Sequence, residues 1–154
     1  MSTNLEQRIQ RLEDQAAIKR VVDTFSNLAD VKDIATQMHL FTEDATVNTY
    51  FGDTLFASMQ GREEISKTFT SFIANFEKMY HFNGQMTVDI NGDHAVSNHY
   101  CLVVLISDNG SKKIKNLNGV TYRDEYIRQN GEWLIAKRDS WFTWRDVSEL
   151  VSPD

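Results

Sequence analysis

Asp30 is the first residue of this sequence whose position suggests chemistry. A long amphipathic helical pattern ends there, and the C-terminal end of a helix favours a positive charge over a carboxylate. A second, shorter helical pattern begins at Val31, so Asp30 also has an ordinary structural role open to it as the N-cap of that helix. The functional alternative is a carboxylate in the wall of a small-molecule pocket, and one residue can serve both roles.

His81 is a candidate general base, because a neutral imidazole accepts a proton near neutral pH. The sequence alternates Tyr80 and Phe82 with His81, Asn83 and Gln85, as in a half-buried strand. Such alternation tells which residues share a face, but not what that face contacts. The polar face therefore either meets solvent or lines a polar pocket.

Arg138 is a candidate donor to a developing anion, because arginine stays charged in protein environments. It alternates with Ala136 and Ser140 on the last predicted strand. The other interpretation is a surface ion pair, which contributes little to stability. Arg145 is the second arginine placed for the functional role.

The sequence patterns of metal, phosphate and nucleophile sites are missing. No pair among the four histidines has the His-x-x-x-His spacing, and the single cysteine, Cys101, is typical of a small buried hydrophobe. Gly-rich phosphate loops and nucleophile elbows do not occur. We therefore expect chemistry without a metal or a cofactor.

The charge balance argues against nucleic acid as a partner. The net charge is −6, with Lys and Arg scattered among the acids. The basic cluster Lys112, Lys113 and Lys115 follows a predicted turn and is typical of a solvated hairpin tip. No apolar run approaches the length of a membrane span, and the N-terminus lacks the features of a signal peptide. We expect a cytoplasmic protein with no nucleic-acid or membrane partner.

Three amphipathic patterns predict helices in the first half of the chain. They run from Leu5 to Ala29, from about Val31 to Leu40, and from Gly61 to Phe76. A strand begins at Phe41 and reaches a turn at Gly52-Asp53.

Beyond Met79 the period of the apolar residues changes from 3.6 to 2, which predicts strands. Three Asn-Gly turns separate four alternating runs, from about Tyr80 to Ile90, Ala95 to Ile106, Lys115 to Arg128 and Trp133 to Trp144. Helices followed by an antiparallel meander define the α+β class, and we expect a single domain over residues 1–154. A bent sheet covered by helices encloses a cavity suited to a small-molecule ligand.

The order of short motifs along the chain resembles the SnoaL-like branch of the NTF2-like superfamily. The motifs are Ala16-Ala17-Ile18, Asp30, Leu40-Phe41-Thr42-Glu43-Asp44-Ala45, Gly61-Arg62-Glu63-Glu64-Ile65, Tyr80-His81, and Thr121-Tyr122-Arg123-Asp124-Glu125-Tyr126 running to Gly131-Glu132-Trp133. Their order and spacing cover nearly the whole chain. The resemblance implies a cone-shaped α+β barrel, in which N-terminal helices pack on a curved, mostly antiparallel sheet and a pocket lies between them.

Within that superfamily the chain is most similar to the group of scytalone dehydratase, bile acid 7α-dehydratase and hexachlorocyclohexane dehydrochlorinase. There, an Asp at the end of the first helix pairs with a His early in the meander to abstract a proton while water or chloride leaves. Asp30 and His81 match these positions. Arg138 matches an Arg that stabilises the departing anion, and Tyr50 matches a Tyr on the first strand.

The chain also departs from the group. A Tyr that precedes the catalytic Asp in some dehydratases is Ala29 here, and a cationic helix residue of the dehydrochlorinase falls on Phe25. We count Phe25 and Tyr50 as candidate substrate contacts, with His99 on the next strand and Tyr126. Tyr126 is also typical of a core or interface aromatic residue.

The resemblance thus implies a cofactor-independent lyase or isomerase that acts on a small apolar, cyclic substrate. Two alternatives stay open. One is a non-catalytic binding or oligomerisation module, like the small subunit of ring-hydroxylating dioxygenases, and the other is a polyketide cyclase. The resemblance also implies a homo-oligomer that associates through the sheet, with a trimer favoured over a dimer.

Overall fold

Helix α1 (Leu5–Asp30) opens the computed structural model, which describes residues 4–151. The helix begins at a capping box, in which the Asn4 side chain accepts the Gln7 N–H at 2.8 Å and the Gln7 side chain accepts the Asn4 N–H at 3.2 Å. One face of α1 is buried, and that face carries Asp14, Ile18, Val22, Phe25, Ser26 and Ala29. The predicted helix over Leu5 to Ala29 is confirmed.

The joint after α1 differs from the prediction. Lys32 has φ 61°, and the N–H groups of Lys32 and Asp33 bond the carbonyls of Ala29 and Leu28. This Schellman arrangement ends α1 and keeps a new helix from starting at Val31. Helix α2 instead covers Ile34–Gln37, followed by a 3₁₀ turn over Met38–Leu40. Helix α3 covers Gly61–Ile73 and stops short of the predicted end at Phe76.

Six strands form one open, curved sheet in the order β2-β1-β6-β5-β4-β3. Strand β1 pairs in parallel with β6, and the other neighbours are antiparallel. The predicted α+β class is therefore confirmed, and the four-stranded meander corresponds to β3 to β6. Strand β2 was not predicted, and β6 continues beyond Trp144. The strands are β1 (Phe41–Phe51), β2 (Thr54–Gln60), β3 (Lys78–Asn91), β4 (His94–Asp108), β5 (Lys113–Gln129) and β6 (Glu132–Leu150).

A bulge in β3 decides which of its side chains face the helices. The register with β4 shifts between Asn83 and Met86, and such a bulge reverses the alternation beyond it. Before the bulge His81 is partly buried, whereas Tyr80 and Phe82 are each 62% exposed. The alternating pattern of a half-buried strand predicted Tyr80 and Phe82 on the buried, apolar face and His81 on the polar face, and the placement of Tyr80 and Phe82 was wrong. The bulge thus places His81 on the inner face of the sheet.

The core lies between the helices and the inner face of the sheet. One buried cluster joins α1, α2 and α3 to β1 and β2, to the start of β4, to the last part of β5 and to the start of β6. A second cluster joins the end of α1 to β3, β4 and β5. Within residues 4–151, no helix is long and apolar enough to cross a membrane. The outer face of the sheet exposes Tyr80, Phe82, Tyr100 and Leu102. Association through this face stays a prediction.

Candidate active site

Asp30 and His81 meet where the end of α1 crosses β3. Asp30 Oδ1 lies 2.6 Å from His81 Nδ1, and Asp30 Oδ2 accepts the main-chain N–H of His81 at 3.1 Å. The exposed fraction is 22% for the Asp30 side chain and 10% for that of His81. Both carboxylate oxygens therefore hold one histidine, by its backbone and by its ring.

This geometry selects the protonation pattern of the imidazole. A carboxylate accepts hydrogen bonds, so the neutral ring carries its proton on Nδ1 and leaves Nε2 as a proton acceptor. If Nε2 takes a proton, the carboxylate stabilises the resulting imidazolium. The pair has the arrangement of an oriented general base.

A partly enclosed cavity of about 150 Å³ lies beside this pair. Its wall is mostly apolar and comes from α1, α3 and the inner faces of the strands, including Phe25, Phe69, Met79, Val103, Leu105 and Phe142. Polar side chains interrupt the wall at Gln37, Thr49, Thr68, His81, Arg138 and Ser140. A cavity of this size accommodates a ligand of about one aromatic ring.

Arg138 brings a buried positive charge to the cavity wall. It is 2% exposed and donates from Nε and Nη2 to the two oxygens of Asp124, both at 2.8 Å. Its guanidinium lies 4.1 Å from the ring centre of Phe25 and 4.4 Å from that of Tyr122. Burial opposes the charge, but the Asp124 carboxylate outweighs it and the pKa of Arg138 is raised. Arg138 therefore stays cationic inside an apolar wall.

Asp124 is itself held by a short hydrogen-bonded chain. The hydroxyl of Tyr126 donates to Asp124 Oδ2 at 3.0 Å, and its oxygen lies 2.6 Å from Ser97 Oγ. All of these side chains are buried, and burial raises the pKa of Tyr126 well above its usual range. Tyr126 thus lies in the core and supports Asp124, outside the set of cavity-lining residues.

His99 is buried at 1% exposure and stacks on Tyr122 with 4.9 Å between ring centres. Among the described residues, neither of its ring nitrogens has a hydrogen-bond partner. Burial, helped by the charge of Arg138, lowers the pKa of His99 to about 4. His99 is therefore neutral at pH 7, and it lies behind Tyr122 rather than in the cavity wall.

The remaining candidates divide between the cavity and its surroundings. Phe25 lines the cavity and covers Arg138. Tyr50 stacks on Trp141 at 5.3 Å and lies outside the cavity-lining set. Arg145 donates to the Asn118 side chain at 3.3 Å and lies outside the cavity-lining set. The structure therefore brings Asp30, His81, Arg138 and Phe25 together and leaves Tyr50, His99 and Tyr126 outside the wall.

Sequence analysis missed three residues of this site. Gln37 lines the cavity from the end of α2, and no sequence pattern marks it. Tyr122 and Asp124 both lie in the motif Thr121-Tyr122-Arg123-Asp124-Glu125-Tyr126, but neither had a predicted role. The available sequence signal for Asp124 is an acid on one strand of a predicted hairpin, opposite the adjacent cations Lys137 and Arg138 on the other strand. In the described part of the chain, no three His, Cys, Asp or Glu side chains cluster closely enough to hold a metal ion.

Fold and site together define an α+β protein that encloses an apolar cavity between its helices and an open, curved sheet. The model of the SnoaL-like domain matches residues 10–139. The chain therefore belongs to the SnoaL-like domain family, of NTF2-like fold. No curated protein matches the chain at the level of sequence.

Solved structures share this fold across almost the whole chain. A protein provisionally assigned as a scytalone dehydratase from Novosphingobium aromaticivorans has 20% identity and a TM-score of 0.77 over 92% of this chain and 91% of its own. The hexachlorocyclohexane dehydrochlorinase LinA-type3 from Novosphingobium barchaimii has 16% identity and a TM-score of 0.77 over 95% and 99%. A protein provisionally assigned as an aromatic ring hydroxylase from N. aromaticivorans has 23% identity and a TM-score of 0.78 over 90% and 94%. These likenesses establish the fold alone.

Proposed function

We propose that this protein is a cofactor-independent lyase or isomerase that removes a proton from a carbon atom of a small, ring-sized substrate. The observation that carries the proposal is the 2.6 Å contact between Asp30 Oδ1 and His81 Nδ1 at the wall of an apolar cavity. A partly buried carboxylate–imidazole pair in the wall of a cavity is typical of a functional site.

His81 acts as the base in the proposed reaction. Its Nε2 takes a proton from a substrate carbon, and the C–H electron pair forms a double bond as the neighbouring bond to oxygen or halogen breaks. Hydroxide leaving in this way takes the proton back from His81 and departs as water, whereas a halide leaves the proton to be lost to solvent. In the isomerase variant, His81 returns the proton to another carbon. Asp30 holds the ring and stabilises its charged form.

Arg138 supplies the positive charge that the departing group needs. Its cation lies in an apolar wall, where an electrostatic interaction is stronger than in water. The bidentate bond to Asp124 and the two flanking rings fix the guanidinium before the substrate binds. Such preorganisation favours charge that develops in the transition state.

A binding module without chemistry would need the cavity but not the pair. The direct bond between Asp30 and His81 therefore favours the catalytic proposal over a dioxygenase-subunit-like module. Polyketide cyclisation would use the same proton transfer on a larger substrate, and a cavity near 150 Å³ favours a single ring.

The test compares turnover of ring alcohols, β-hydroxyketones and chlorinated cyclohexanes in D₂O, with products followed by mass spectrometry and carbon-bound deuterium by NMR. In Asp30→Asn, the amide oxygen accepts the main-chain N–H of His81, so the amide nitrogen faces Nδ1. This favours the imidazole tautomer that carries its proton on Nε2, and Nε2 can then no longer accept a proton from the substrate. We expect Asp30→Asn and His81→Gln to lower kcat by roughly 10²- to 10⁴-fold. Asp33→Asn, which keeps a capping side chain three residues away, is the matched control. Wild-type rates in both dyad variants would refute the mechanism.

A further inference from the structure

Gln37 carries a buried acceptor at the cavity wall. The residue is 1% exposed, and its Nε2 donates to the carbonyl of Phe25 at 3.0 Å. Its Oε1 has no hydrogen-bond partner among the described residues. A buried acceptor left unpaired destabilises the fold, so a side chain of this kind calls for an explanation.

The orientation of the Gln37 amide follows from its surroundings. Exchanging its nitrogen and oxygen would set Oε1 against the Phe25 carbonyl, and two acceptors cannot form a hydrogen bond. The nitrogen therefore faces Phe25, and the oxygen is the free acceptor. Tying α2 to α1 uses only the nitrogen, so the structural role explains half of the amide.

We infer that Gln37 Oε1 accepts a hydrogen bond from a hydroxyl group of the substrate. Gln37 lines the same cavity as His81 and Arg138, and around it the wall is largely apolar. A ligand with an O–H group can donate a hydrogen bond to Gln37 Oε1. A ligand without such a donor would cover Gln37 Oε1 and leave it without a hydrogen bond. A site that forms a hydrogen bond with a substrate hydroxyl group strongly rejects analogues that lack this group.

This inference rests on the proposed function and narrows its substrate class. The substrate is a ring-sized alcohol or phenol, and a hydrocarbon or a purely halogenated ring fits the cavity without satisfying Gln37. His81 and Gln37 then mark two points of the ring, one at the carbon that loses its proton and one at a hydroxyl. Gln37 is thus a specificity-determining residue.

Thr42 provides a matched control. It is also 1% exposed, and its Oγ1 is likewise buried without a hydrogen-bond partner among the described residues. Thr42 lies outside the set of residues that line the cavity. A buried, unpaired oxygen is thus present at both positions, but only Gln37 belongs to the residues that line the cavity.

The experiment uses phenol and toluene, which match in size and differ by one hydroxyl. Dissociation constants from NMR titration give the ratio of phenol to toluene affinity for wild type, Gln37→Met and Thr42→Val. We expect Gln37→Met to shift this ratio toward toluene by about fivefold to tenfold and Thr42→Val to leave it at the wild-type value. An unchanged ratio in Gln37→Met overturns the inference, as does an equal shift in Thr42→Val.

A second measurement needs no variant and covers the case in which Gln37→Met fails to fold. Phenol should move the side-chain amide resonances of Gln37 in the wild-type protein more than toluene does, and equal movements overturn the inference. Neither probe carries a group that can be eliminated, so both measurements are independent of turnover. If Asp30→Asn retains wild-type turnover while the Gln37 results hold, the proposed function fails and the hydroxyl site stands.

Discussion

Acid should destabilise this protein through His99, and replacing that residue with phenylalanine should remove the effect. The His99 ring is buried against Tyr122, and burial together with the charge of Arg138 lowers its pKa to about 4. Phenylalanine keeps an aromatic ring in the stack but cannot take up a proton. Because both ring nitrogens of His99 lack a partner among the described residues, we expect His99→Phe to be at least as stable as wild type at pH 7.5.

The size and sign of the effect follow from the two pKa values. In the unfolded chain His99 titrates near its ordinary value of 6.5. Between pH 6.5 and 4 the unfolded chain therefore binds a proton that the folded chain does not, and stability falls as the pH falls. Each pH unit in this window costs about 1.4 kcal/mol. The loss is about 2 kcal/mol between pH 7.5 and 5, and about 3 kcal/mol once the pH is below 4.

Urea unfolding of both proteins at pH 7.5 and pH 5 measures this contribution. The other titrating groups are present in wild type and in His99→Phe, so their contributions cancel in the difference between the two proteins. We expect wild type to lose about 2 kcal/mol more than the variant over this range. Equal losses would show that His99 takes up its proton as readily in the folded chain as in the unfolded chain, and would refute the argument from burial.

Two further substitutions test the packing around the site and on the outer face of the sheet. Asp124→Asn leaves the Arg138 cation buried without its counter-charge, which should cost about 3–5 kcal/mol of unfolding free energy in urea titrations; a loss below 1 kcal/mol would contradict the ion pair. In Gly119→Ala the new Cβ would lie 2.0 Å from Trp144 Nε1, so the indole must move and tryptophan emission should change. Gly84→Ala, whose Cβ meets its neighbours at 3.5 Å or more, should leave the emission unaltered.

Local patterns predicted most of the sheet, because each hairpin of the meander is closed by its own Asn-Gly turn. Gly92 and Gly131 have φ of 63° and 80°, values that glycine tolerates and most residues avoid. The pairing of β1 with β6 joins residues about ninety positions apart, and no local signal encodes such a contact. The bulge at Gly84-Gln85, which reverses the inward and outward alternation of β3, was also missed. An alternating pattern does not show where an extra residue enters a strand.

In the candidate site, too, the features that depend on local sequence could be predicted, and those that depend on strand register or on the shape of the cavity could not. Counted from the turn at Asn130-Gly131, an unbroken hairpin would place Asp124 opposite Lys137. The register shift between Glu125 and Tyr126 places it opposite Arg138 instead. An acid–base pair between β5 and β6 could therefore be expected from the sequence, but which cation is buried depends on a bulge. Gln37 was unpredictable for another reason, since no local pattern shows which side chains of a short helix line a cavity.

The joint between α1 and α2 separates two roles that the sequence assigns to one residue. Asp33 caps α2 by accepting the N–H of Thr36 at 3.1 Å, and the left-handed turn at Lys32 creates the three-residue offset between Asp33 and Asp30. Had the second helix begun at Val31, the Asp30 carboxylate would have bonded that helix. Because Asp33 takes the cap, both oxygens of Asp30 are free to hold His81. The capping role thus falls to Asp33, three residues further on, and it does not compete with the contact between Asp30 and His81.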